Sequence, residues 1–138
     1  MNILLDTHIW LWWINQSSEL KQPHLELLEM AEALYISAIS CWEVTQLIHR
    51  QKIVLPIHHQ HWFQLALEAA DIQCLPVTQR IAIRSAELPE PHRDPADQFI
   101  IATALEHQLF LMSFDEKFPS FQTLQALLLP RKLPNSAV

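Results

Sequence analysis

The chain has 138 residues, half of them hydrophobic and 17% charged, which suits one folded domain with its own core and argues against disorder. Its formal charge is −6 with the histidines neutral, so a basic patch is not its route to nucleic acid, although acids that hold metal ions invert the local field and admit phosphates. Glycine is absent, which excludes a Walker A loop and a dinucleotide fingerprint and leaves the turns to Pro, Asn, Asp and Ser.

Asn2 to Leu5 is an apolar run that reads as a buried strand ending at Asp6. A helix follows through Trp10, Trp12 and Trp13, and Gln16-Ser17-Ser18 breaks it. Pro23 suits the first turn of a second helix reaching about Ala33, and Leu34 to Ser37 reads as the second strand. Ser40 is expected to open a helix to about Arg50. A histidine-rich turn, 56–60, leads to a helix over Trp62 to Ala70. Ile72 to Val77 is the third strand, and Thr78 caps a short helix ending before Pro89. Three prolines make 88–95 a loop, and Pro95 opens a strong helix over Ala96 to Glu106. Leu109 to Ser113 is the fourth strand, and Phe121 to Leu124 is a candidate last strand. A single domain over 1–130 is expected, with a frayed tail over 131–138. Alternating strands and helices imply an α/β fold in three layers, with a mostly parallel sheet covered on both faces.

The run from Ile9 to Ile14 is too short to span a bilayer, and the opening six residues lack the basic start of a signal peptide. A cytoplasmic protein with no membrane partner is the expectation. Cys41 and Cys74 are expected as buried thiols.

In an open parallel sheet, ligands bind outside the carboxyl ends of the strands. Asp6 follows the first strand and Asp115 the fourth, while Glu43 and Asp97 fall in the first turns of helices. Four acids from distant parts of the chain can thus meet at one end of the sheet. Such a cluster is unstable unless protons or cations neutralise it, and hard oxygen donors favour Mg²⁺ or Mn²⁺. Those ions activate water and stabilise in-line displacement at phosphorus. Each acid also has an ordinary structural role open to it. Ser40-Cys41-Trp42-Glu43 is a capping box, Asp94 is a natural N-cap with Asp97 favoured by the helix dipole, and Asp115 suits a turn. Asp6 is hardest to explain that way, because a charge straight after an apolar strand needs a partner.

These segments resemble a known family. Leu4-Leu5-Asp6-Thr7-His8, Ser37 to Glu43, His92 to Ala104 and Leu111-Met112-Ser113-Phe114-Asp115 are similar, in order, to the motifs of PIN-domain proteins, in particular VapC-type toxins of bacterial toxin–antitoxin pairs. The resemblance implies a PIN fold and a Mg²⁺- or Mn²⁺-dependent endoribonuclease acting on RNA. It also implies a homodimer held inactive by a small cognate antitoxin. Asp6, Glu43, Asp97 and Asp115 match the family's acidic quartet, with Asp6 and Asp97 expected as the direct ligands. Ser113 matches a Thr or Ser position that orients a carboxylate. Two departures remove positive charge: Gln98 stands where relatives often carry Arg, and Ser113-Phe114-Asp115 replaces Thr-Arg-Asp.

Asp94 is a possible neighbour of the quartet, favoured here as an N-cap. His8, Arg80, Arg84 and Arg93 are candidates for RNA contacts, and a solvated helix face explains the Arg80–Arg84 pair equally well. The five tryptophans are expected mostly in the core. His58, His59 and His61 read as a solvated loop rather than a zinc site, since no other ligands are suitably spaced. Two rival functions stand beside the nuclease: a catalytically weak PIN-like binding module, and an Asp-dependent phosphatase or phosphotransfer domain with Asp6 as nucleophile.

Overall fold

A computed structural model describes residues 1–55, 57–90 and 94–133. Five strands form one sheet in the order β3-β2-β1-β4-β5, every pairing parallel: β1 (Asn2–Leu5), β2 (Ala33–Ser37), β3 (Ile72–Leu75), β4 (Phe110–Met112) and β5 (Leu128–Leu129). The helices are α1 (Thr7–Ile14), α2 (Gln22–Met30), α3 (Ala38–His49), α4 (His59–Gln64), α5 (Gln79–Ala86) and α6 (Pro95–His107). The expected three-layer α/β fold is what the structure shows.

The central strand dictates the layers. Period-two alternation sends Ile3 and Leu5 to one face and Leu4 to the other. Ile3 and Leu5 join Ile9, Trp10, Leu28, Val44 and Trp62, from α1 to α4. Leu4 joins Ile100, Ile101 and Ala104 of α6, with Phe118 and Phe121. β1 is buried on both faces, so it reads as a continuous apolar run. Trp10 is wholly buried, and its indole N–H donates to the Ala66 carbonyl at 3.5 Å. Ala66 lies in a π-helical stretch, Leu65–Ala69, where the single helix expected over Trp62 to Ala70 changes pitch.

Several expectations need correction. Phe121 to Leu124 is not a strand. It lies in 3₁₀ turns (Phe118–Ser120 and Gln122–Leu124), and β5 follows later. Aromatic packing inward from a turn mimics the apolar signal of a strand. Helix α3 starts before Ser40, because the Ser37 hydroxyl caps it at Ile39 N. Glu43 therefore sits in its second turn and caps nothing. Turns with positive φ use Gln16, Gln51 and Gln108 beside Asp71, so glutamine takes positions expected of Asn or Asp. Trp42 is exposed, Trp12 and Trp13 are half-buried, and Cys74 is exposed while Cys41 is half-buried. The Cys74 thiol and burial push the Cys41 thiol up, while that same contact pulls Cys74 down to about 7.

The tail was expected to fray from residue 131. Its first residue, Arg131, lies over Phe114, next to Pro130, whose carbonyl accepts from the His24 ring N–H at 2.7 Å. Residues 134–138 lie outside the described residues, as do Pro56 of the histidine turn and Arg93. Among the described residues, no helix is long and apolar enough to cross a membrane.

Candidate active site

Strand order reverses about β1, which has β2 on one side and β4 on the other. The crevice at the carboxyl ends of β1 and β4 is thus the topological switch point. The register places Leu5 beside Met112, and Asp6 N extends the ladder to the Met112 carbonyl at 3.0 Å. Asp6 and Ser113 emerge side by side.

Asp6 is nearly buried, and each of its oxygens has a donor. Thr7 N–H reaches Oδ1 at 2.8 Å, and Ser113 Oγ donates to Oδ2 at 2.6 Å. Burial raises its pKa above the ordinary carboxylate value, and the Ser113 and Thr7 hydrogen bonds oppose that rise. Ser113 is fully buried, and its Oγ also accepts from Asp115 N at 3.2 Å, so one hydroxyl ties the ends of β1 and β4 together.

Glu43 reaches the crevice from α3, where Thr7 Oγ1 donates to its Oε1. Thr7 has one hydroxyl proton, so at its 2.8 Å contact with Ser40 Oγ the serine is the donor. The motif drew attention to Thr7 only as a neighbour of Asp6, and neither Thr7 nor Ser40 was expected at the site. Burial pushes Glu43 up to about 7. The Thr7 hydrogen bond opposes this, and the charges of Asp6, Asp97 and Asp94 add to it.

Asp94 caps α6, its Oδ1 accepting from Ala96 N at 2.9 Å, and Asp97 follows in the first turn. Glu43, Asp94 and Asp97 each offer an oxygen within 4.8 Å of the others. All are hard donors, and their mutual repulsion is relieved by a divalent cation, so these residues fit Mg²⁺ or Mn²⁺. Asp94 is thus both a helix cap and a member of the closest acid group. Asp115 turns the chain after β4, with Oδ1 accepting from Lys117 N at 2.9 Å.

One cavity of about 330 Å³ is lined by Asp6, Glu43, Asp94, Asp97 and Asp115 together with His8. The four acids expected to converge share this pocket, and Asp94 joins them. Arg80 and Arg84 do not reach it. Arg80 pairs with Glu106 at 2.8 Å and Arg84 with the same carboxylate at 3.0 Å, because the α5 face they share packs on α6. The three histidines supply no metal cluster among the described residues, and His58 caps α4 through a 3.3 Å bond from Gln60 N.

The family model for the PIN domain matches residues 3–124. The chain belongs to the PIN-domain family. Ribonuclease VapC22 of Mycobacterium tuberculosis (strain ATCC 25618 / H37Rv) is 32% identical to this PIN domain over 119 residues, 86% of this chain and 90% of the relative. The PIN fold also superposes on VapBC2 from Rickettsia felis bound to a promoter DNA fragment, with a TM-score of 0.69 and 19% identity over 94% of this chain and 98% of that one. A toxin–antitoxin complex from Klebsiella pneumoniae gives a TM-score of 0.67 with 22% identity over 96% and 99%.

Proposed function

We propose that this PIN domain is a divalent-metal-dependent endoribonuclease: a toxin that cuts RNA in the cytoplasm, works as a homodimer and is neutralised by a small cognate antitoxin. The observation that carries this reading is the convergence of five carboxylates in one pocket, with the most buried of them, Asp6, gripped on both oxygens. The relative named as a ribonuclease supports the RNA substrate, and the toxin–antitoxin neighbours support the antitoxin.

Mg²⁺ or Mn²⁺, when bound, would supply charge neutralisation and Lewis acidity to water and to the phosphoryl oxygens. Glu43, Asp94 and Asp97 would hold it from two helices, together with Asp6 at the end of β1 and Asp115 after β4, which line the same pocket. Thr7 and Ser113 fix the carboxylates in place before substrate arrives, so little reorganisation accompanies charge development in the transition state. His8 lines the same pocket and is suitably placed to meet substrate.

Asp6→Asn tests the proposal. The variant is expected to keep the fold and to lose Mg²⁺- or Mn²⁺-dependent RNA cleavage by at least about a hundredfold. Full cleavage by that variant, free of contaminating nuclease, would sink the assignment.

A further inference from the structure

The pocket presents five carboxylates to a polyanionic substrate. Its lining holds a single arginine or lysine among the described residues, Arg131. Arg80 and Arg84, the cations expected to serve RNA, are engaged with Glu106 instead.

Arg131 is held at the pocket by its backbone. Leu129 pairs with Met112, Ser113 N–H donates to the Leu129 carbonyl at 3.2 Å, and buried His24 holds the Pro130 carbonyl. The next residue emerges beside the end of β4. Its guanidinium lies 4.6 Å from the centre of the Phe114 ring, a cation–π contact. That ring is itself fixed, with His24 edge-on at 4.6 Å and Trp12 tilted at 5.7 Å. The side chain of Arg131 remains more than half exposed, and its one ion pair among the described residues, to exposed Glu19, is long at 3.8 Å. The cation is therefore positioned yet available.

The pocket also continues on both sides. Beyond Arg131 a second cleft of about 350 Å³ shares Phe114 and Asp115 with it and adds Lys132. On the other side a cleft of about 280 Å³ shares Glu43 and Asp94 and adds exposed Trp42 and Arg50. Each flank offers a flat face, an indole or a ring-backed guanidinium, beside a cation. Single strands are bound by this combination, because only unpaired bases can stack on such faces.

We propose that Arg131, laid across Phe114, is the residue that binds the RNA phosphate next to the acidic pocket, with the strand running unpaired between the Trp42 and Lys132 flanks. This inference rests on the nuclease reading above.

The test is cleavage of a mixed-sequence single-stranded oligoribonucleotide by the full chain with Mg²⁺, between about 50 and 200 mM salt. Arg131→Ala is expected to raise KM about tenfold with a smaller change in kcat. It should also flatten the plot of log kcat/KM against log salt by about 0.7, the share of one phosphate contact on a single strand. Arg131→Lys should recover the salt slope, and recover KM only in part because the planar stack is gone. Arg80→Ala removes one equal charge outside the groove and should leave KM and slope at their wild-type values. Unchanged KM and slope in Arg131→Ala, or an equal loss in Arg80→Ala, overturns the assignment of Arg131 and leaves the nuclease reading standing. Absence of metal-dependent cleavage by the wild type overturns both.

Discussion

Ser113 donates to Asp6 at 2.6 Å across 107 positions of the chain, so one buried hydroxyl joins the first strand to the fourth at the floor of the acidic pocket. Hydrogen bonds to charged groups are worth about 1.5–3 kcal/mol, and supporting partners of metal ligands change affinity by about 10–100-fold. Ser113→Ala is therefore expected to weaken Mn²⁺ binding within that range, read by calorimetry. Ser113→Thr restores the hydroxyl and should recover most of the affinity. An unaltered titration in Ser113→Ala would show that Asp6 needs no positioning.

Asp94 allows cap and charge to be separated. Asp94→Ser keeps an oxygen for Ala96 N and removes the negative charge, whereas Asp94→Ala removes both. The alanine variant should lose about 1 kcal/mol of stability with the cap, and the serine variant little. Both should bind Mn²⁺ more weakly if Asp94 acts with Glu43 and Asp97. Melting curves and metal titration on the same samples read the two roles independently. Wild-type metal affinity in Asp94→Ser would leave Asp94 as a cap alone.

The metal-free protein should lose stability as pH rises. Glu43 holds its proton up to about 7 in the folded chain against an ordinary value of 4.5, and Asp6 is shifted the same way by burial. Through that window the folded state binds more protons than the unfolded one, so ΔG of unfolding falls with each increment of pH. The melting temperature should be lower at pH 8 than at pH 5.5 without metal. Mn²⁺ should reverse the loss by binding only the folded chain. Glu43→Gln should flatten the metal-free dependence. A steeper pH dependence in Glu43→Gln than in the wild type would contradict the sign.

Gln16, Gln51 and Gln108 adopt left-handed backbone conformations with φ between 53° and 56°. The Cβ atom makes that region costly, by about 1 kcal/mol relative to glycine. Gln108→Gly, at the C-cap of α6, is expected to raise the melting temperature by several degrees. Gln16→Gly and Gln51→Gly should add nearly independently. A fall in melting temperature for all three would show that the glutamine side chains contribute more than the backbone loses.

The sequence revealed the parts of the site that follow from local pattern. Asp6 stands out because it ends an apolar run, and Asp94 because Asp-Pro opens a helix. Glu43 is read from its spacing to Ser40 as a first-turn residue, whereas Ser37 caps α3 and leaves Glu43 in the second turn, a difference of three residues that only the backbone decides. Thr7 gave no such signal, because its role depends on a glutamate 36 positions away. Arg131 was hidden for the same reason. Its link to Phe114 arises from the pairing of a two-residue strand with β4, a contact too short to show in periodicity. Arg80 and Arg84 share a helix face as their spacing suggests, yet nothing local announces that Glu106 of α6 meets that face.

The central position of β1 also governs when the pocket can exist. The first strand leaves the ribosome early, but its β4 neighbour and the serine that grips Asp6 are made 107 positions later. At about 5–20 residues per second, the growing chain spends on the order of ten seconds with its acids apart. The strands that bring them together form long-range contacts, whose loop-closure cost delays assembly further. A pocket built this way is complete only when nearly the whole chain has been made.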